Sequence, residues 1–178
     1  MALMIEGTDI RLRPWSERDF DVLQQMRNDI ALQTQLLARA RGSSASSVRE
    51  WLQQRSASST DIFLIVASTS TDEPLGFIQC RQMDIVSRNA EMGIGLIASA
   101  QGQGIGGHVL ALLKDYVWST WGMRKLWLKV SADNLAAIRC YEKAGFSECG
   151  RLRQHIFIDG RWQDVLLMEM FLAEPETP

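Results

Sequence analysis

The spacing of apolar positions divides the chain into short strand-like runs and a few longer helical ones. Residues 9–14 alternate, with Ile10 and Leu12 between Arg11 and Arg13, and predict a first strand that Pro14 ends. Ser16 with Asp19 three positions on predicts a helix start, because such a pair caps exposed N–H groups. Phe20, Leu23 and Met26 then form the buried face of that helix. Between Asn28 and Ser47 the periodicity is weak. Residues 42–47 read as a flexible break before a second helix, 48–55, and a serine-rich link, 56–60.

Residues 62–66 and 75–83 are strand-length apolar runs joined by turn residues at 69–74, which predicts an antiparallel hairpin. After a polar turn, 84–89, a further strand at 90–97 delivers the chain to Gln101-Gly-Gln-Gly-Ile-Gly-Gly107. Ile105, Val109, Leu112, Leu113, Tyr116 and Val117 follow at the spacing of one helical face. The chain turns at Gly122 into a strand at 125–130. Asp133 or Asn134 then caps a helix that reaches Ala144 and ends at Gly145. Two last strands, 147–158 and 162–171, form a hairpin across Asp159-Gly160. Residues 1–172 read as one domain without internal repeats, and 173–178 as a disordered tail.

A length of 178 residues, 46% of them hydrophobic, is enough for one proper core. A net charge of -2, with no basic run carrying interleaved aromatics, argues against nucleic-acid or membrane-surface partners. No apolar stretch approaches the ~20 residues of a membrane span, and the first residues lack a basic region ahead of an apolar core. A soluble, cytoplasmic protein is therefore expected. Cys80, Cys140 and Cys149 have no paired spacing and fit free thiols in a reducing compartment. His108 and His155 stand apart without neighbouring ligands, so no metal is expected.

The strand, glycine turn and helix around residues 92–117 carry the chemistry. Such a turn points unpaired backbone N–H groups and the positive end of a helix dipole at one spot, where a phosphate or pyrophosphate can sit. Glycine permits both close approach and positive φ. Gly102-x-Gly104-x-x-Gly107 matches the dinucleotide fingerprint, but the next strand offers Lys129 where an acid is wanted, and too little chain follows. No Gly-Lys-Ser/Thr follows the glycines, which excludes a nucleotide P-loop. A third pattern, Gln/Arg-x-x-Gly-x-Gly/Ala, is met by residues 101–106. A glycine-rich connection with no ligand stays open from this loop alone.

In this third pattern the sequence resembles the GNAT superfamily of acyl-CoA-dependent N-acyltransferases. Asn134, then Tyr141 seven positions on, then Gly145-Phe146, is a second point of likeness, and two helical turns put Asn134 and Tyr141 on one helix face. The hairpin at 157–165, with Leu12-Arg13-Pro14 and Met26-Arg27-Asn28, is similar to a branch containing ribosomal-protein N-terminal, spermidine and amino-sugar acetyltransferases. The resemblance spans residues 10–171. It implies an α/β (α+β) fold, a single domain with a mixed, mostly antiparallel central sheet of six or seven strands. Helices would flank this sheet, and it would splay at the acyl-CoA site.

The resemblance also implies roles. Backbone N–H groups of Gln101, Gly102, Gln103, Gly104, Ile105, Gly106 and Gly107 would anchor the pyrophosphate of acetyl-CoA. Ile94, Leu96 and Ile97 would offer strand-edge groups to its pantetheine amides, as an added strand does, and Asn134 would bond the pantetheine region. Tyr141 would protonate the departing thiolate; the plain alternative is a core aromatic. Glu91 is the candidate general base, against a solvated charge at a strand end. No cysteine constellation supports an acyl-enzyme, so direct attack in a ternary complex is expected.

The expected function is N-acetyl transfer from acetyl-CoA to a primary amine, either a protein or peptide N-terminus or a small molecule such as an amino sugar. A non-catalytic acyl-CoA sensor or protein-interaction module is the alternative of another class, and a homodimer is a possible assembly. Arg39, Arg41, Arg88 and Arg153, then His155 and Asp159, are candidates for the acceptor pocket, with residues 32–42 as its mobile wall. Residues 30–42 have no acid and two arginines, which disfavours spermidine.

Overall fold

The run from Ile62 to Ala67 lacks polar alternation because both of its faces are buried. Ile62, Leu64 and Val66 enter one core, while Phe63, Ile65 and Ala67 enter another. They belong to a central sheet in a computed structural model that describes residues 3–172. The tail expected at 173–178 lies outside the described residues.

The strands are β1 (Ile5–Glu6), β2 (Ile10–Arg13), β3 (Ile62–Ser68), β4 (Pro74–Asp84), β5 (Asn89–Leu96), β6 (Lys125–Ser131), β7 (Ser147–Ile158) and β8 (Arg161–Phe171). The helices are α1 (Phe20–Asn28), α2 (Ile30–Gln35), α3 (Ala45–Ala57), α4 (Ile105–Trp121) and α5 (Leu135–Lys143). The eight strands lie in the order β1-β2-β3-β4-β5-β6-β8-β7. Among the described residues only β5 and β6 pair in parallel. The mixed, mostly antiparallel sheet matches expectation, with one strand more than the six or seven foreseen. The addition is β1, whose two residues are too few to show a period.

Helices α4 and α5 pack on one face of the sheet, where Val109, Leu110, Leu113 and Val117 join Leu126, Leu128 and Val130. On the other face α1, α2 and α3 contribute Phe20, Leu23, Met26, Leu32, Val48 and Leu52 around Phe63 and Phe77. No helix among the described residues is long and apolar enough to cross a membrane.

The segment 32–42, expected as a mobile wall, begins inside a helix. The Asp29 side chain caps α2 by accepting from the Leu32 N–H at 3.0 Å, and the buried Gln33 amide donates to the Met26 carbonyl at 2.8 Å. Six residues span fewer than two turns, which leaves no readable period; tertiary contacts make the helix.

A buried ion pair fixes the start of α1 against β2. Arg13 donates to both Asp19 carboxylate oxygens, at 2.8 and 2.9 Å, and Asp19 also accepts from the Ser16 N–H at 2.8 Å. Asp19 is fully buried, and its removal leaves the buried Arg13 with Asp72, at 2.9 Å, as its remaining carboxylate partner. Asp19→Ala is expected to cost about 2–4 kcal/mol in denaturant unfolding, less than for a charge left wholly unpaired. Burial by itself raises the Asp19 pKa, but the bonds from Arg13 and Ser16 outweigh it and leave a net lowering. The pair therefore stabilises the fold in full above the ordinary carboxyl value of about 3.9 and loses that contribution progressively as pH falls from there through the lowered Asp19 value. The variant should show a flatter acid limb of stability.

Candidate active site

β5 and β6 pair only at Asn89–Lys125, Ala90–Leu126 and Glu91–Trp127, and beyond that point they part. From Met92 to Leu96, β5 keeps its bonds to β4 but has no partner on the β6 side, so one edge presents free N–H and C=O groups. Glycines occupy alternate positions of this stretch of β5 for a steric reason. A Cβ on Gly93 would stand 3.1 Å from the Gln79 amide nitrogen, and one on Gly95 3.0 Å from the Phe77 ring.

The chain then reaches the N-terminus of α4. Gly102 and Gly104 take φ of 73° and 79°, the left-handed region that glycine tolerates. The Gly107 N–H bonds back to the Gly104 carbonyl at 3.0 Å. Those of Gly102 to Gly106 make no backbone hydrogen bond among the described residues. A Cβ at Gly102, Gly104 or Gly107 would meet no atom within 4 Å. Gly106 is different: its Cβ would lie 3.1 Å from the Cys140 sulfur, so this glycine lets α5 approach α4. Open space, unpaired N–H groups and the dipole of a helix of 17 residues converge here, a seat for a pyrophosphate.

The gap between β5 and β6 joins this seat to a cleft of about 1080 Å³ that runs through the sheet. That is at the upper end for a single small ligand, and it suits a long thioester with a second substrate. Tyr141, on α5, lines it; the side chain is buried edge-on to Phe146, with ring centroids 5.8 Å apart. Burial pushes the Tyr141 hydroxyl well above its ordinary value, with a smaller contribution from Cys140. Asn134 caps α5 by accepting from the Ala137 N–H at 3.2 Å and lines the same cleft. Glu91 sits where the two strands part, largely buried, with Lys129 Nζ at 3.8 Å and Arg81 as its cross-strand partner on β4.

The family profile of the acetyltransferase (GNAT) domain matches residues 9–147. The chain belongs to the GNAT family. It is 34% identical to spermidine N(1)-acetyltransferase of Escherichia coli K12 over 110 residues, 60% of this chain and 59% of that relative. The aligned stretch thus spans under two thirds of that relative. Ribosomal-protein-serine acetyltransferase of the same organism is 30% identical over 96 residues, 54% of each chain. In fold, the GNAT domain superposes on spermidine N-acetyltransferase from Vibrio cholerae, solved with CoA and spermine, with a TM-score of 0.87. That match has 22% identity and covers 93% of this chain and 97% of the other.

Within this GNAT fold the cleft gathers Glu91, Ile94, Leu96, Gln101, Gly102, Gly104, Gly106, Gly107, Asn134 and Tyr141. Three other residues expected at the acetyl-CoA site do not line it. Ile97 directs its N–H to the Leu75 carbonyl at 2.9 Å, Gln103 bonds back to Ser99, and Ile105 packs against the core. The Gln101 side chain turns back on its own loop, donating to the Leu96 carbonyl at 2.9 Å and thereby holding strand end and turn together.

The arginines proposed for the acceptor pocket lie elsewhere. Arg39 donates to the Phe157 carbonyl and Arg88 to that of Gly122. Neither they nor Arg41, Arg153, His155 or Asp159 line the cleft. Arg27, Arg55 and Arg81 line it instead, and Arg139 of α5 also borders it. The sequence carried a signal for Arg81: Gln79 and Arg81 are polar positions alternating with buried Ile78 and Cys80, on a face that the helices cover. No comparable pattern marks Arg27 or Arg55, whose helices bring them in from far along the chain.

Proposed function

We propose that this chain transfers the acetyl group of acetyl-CoA to the primary amine of a small molecule by direct attack in a ternary complex. The observation that carries the reading is the opening between β5 and β6. It is bounded by the glycine seat at one end and by Glu91 where the strands part, with Tyr141 in its wall. A free strand edge suits the amides of pantetheine, and an N–H on it can polarise the thioester carbonyl. The acetyl thioester supplies the electrophile. The chain's own residues hold it, remove the amine proton and return a proton to sulfur.

Glu91 is the base in this reading, taking the proton from the ammonium directly or through water, and Tyr141 is the acid. Asn134 steadies the pantetheine arm. The relatives named for spermidine support a small-molecule amine over a protein or peptide N-terminus, the other acceptor expected from sequence.

Glu91→Gln is expected to lower kcat by about 10²–10⁴-fold with acetyl-CoA affinity unchanged. Raising the pH should recover part of the loss, because more amine then arrives neutral. Steady-state rates read by thiol release check this. A wild-type kcat in the variant would place the base elsewhere, and a lost affinity for acetyl-CoA would make Glu91 a binding residue.

A further inference from the structure

The acceptor side of the cleft carries buried polar atoms whose bonding capacity the protein does not use. Nε of Arg27 and Nε of Arg81 are buried without a hydrogen-bond partner, and so is Oε1 of Gln79. All three side chains line the cleft. Orphaned donors and acceptors of this kind are rare in folded proteins and cost free energy unless a ligand meets them.

Charge points the same way. Arg27 sits over the Trp51 ring, its guanidinium carbon 4.9 Å from the centroid, the two residues coming from α1 and α3. Burial, with the fields of Arg55 and Arg41, pushes the Arg27 guanidinium below its ordinary value, so the cations crowd one another. Arg55 has a carboxylate in Asp61 at 3.0 Å; Arg27 and Arg81 form no ion pair among the described residues. Glu91 is the one carboxylate lining the cleft among the described residues, and Lys129 is beside it. A polyamine would bring several positive charges to a wall that is already cationic.

We propose that the acceptor is a small amine that also carries an oxyanion, a carboxylate or a phosphate, which Arg27 and Arg81 bind while its amino group faces Gln79 and Glu91. The inference rests on the transferase reading above and goes on to the chemistry of its second substrate. Gln79 and Arg81 occupy one face of β4 two residues apart, about 7 Å along a strand, so a compact bifunctional molecule spans them. The guanidinium forks match an oxyanion in geometry as well as charge, and the Gln79 carbonyl oxygen accepts from the amine N–H. Trp51 and Phe77 close the apolar side of the site.

The test is acetyl-CoA turnover, read by thiol release, over matched pairs. The pairs are 3-aminopropionate against its amide and 2-aminoethyl phosphate against 2-methoxyethylamine, with spermidine alongside. A kcat/KM at least about 10-fold higher for one anionic member is expected, the scale of a charge-assisted hydrogen bond, and the better pair identifies carboxylate or phosphate. Arg27→Gln and Arg81→Gln should raise KM for that member and collapse the preference, while acetyl-CoA binding by calorimetry persists. Equal use of both members of each pair, preference for spermidine, or no turnover despite acetyl-CoA binding overturns the inference and leaves acetyl-CoA recognition standing. Absence of acetyl-CoA binding overturns the transferase reading itself.

Discussion

Tyr141→Phe is expected to lower kcat by about 10–1,000-fold while acetyl-CoA affinity stays within a small factor of wild type. The substitution removes one oxygen and leaves the ring in its edge-on contact with Phe146, so packing and helix α5 are kept. What it removes is a proton donor. Burial raises the Tyr141 pKa above the ordinary phenol value of about 10, and the side chain therefore holds its proton at every usual assay pH. A raised value means the acid is available below that pH and is lost only on the alkaline side of it. The wild type should accordingly show no alkaline fall in kcat from this group up to about pH 10. Equal loss of affinity and rate would make Tyr141 a packing residue, and an unchanged kcat would remove it from the chemistry.

Gly104→Glu should weaken acetyl-CoA binding by about 100-fold or more in calorimetry. Gly104 caps α4 at a φ of 79°, beside N–H groups that no protein acceptor satisfies, and a side chain there enters open space. A carboxylate in that space faces the phosphates at close range, a repulsion of a few kcal/mol in a partly shielded site, which is the size of the expected change in Kd. The left-handed backbone also strains any side chain by about 1–2 kcal/mol, and Gly104→Ala isolates that part. If alanine weakens binding as much as glutamate, backbone strain and not charge is responsible. Retained affinity in the glutamate variant would move the pyrophosphate away from the α4 N-terminus. A nicotinamide dinucleotide already fits the fold poorly, because it wants an open parallel sheet and this one has a single parallel pair among the described residues.

Local signals were legible because they depend on near neighbours in the chain. The apolar stripes at Phe20, Leu23 and Met26 and at Val109, Leu113 and Val117 are buried as their spacing required. Asp159 and Gly160 adopt φ of 52° and 76°, the two-residue turn that their side chains permit and that pairs Ile158 with Arg161. Gly145, at φ 103°, ends α5 where the pattern stopped. The glycine loop, Asn134 and Tyr141 stood in register in the sequence and line one cleft in the fold.

The sequence by itself determined the order of every element but β1 and α2, the position of the glycine turn and the face that Asn134 and Tyr141 share. These follow from backbone geometry and side-chain period over stretches of a few to seventeen residues. Only the tertiary structure decided where β5 leaves β6, because that depends on how far two strands separated by a whole helix can stay paired. It alone assembled Arg27, Arg55 and Arg81 beside Trp51 and Gln79, from α1, α3 and β4. It also turned Arg39 and Arg88 away, toward backbone carbonyls at 157 and 122. An arginine's charge is written in the sequence, but its neighbours are set by packing between distant segments, and those neighbours decide whether it is solvated or left for a ligand.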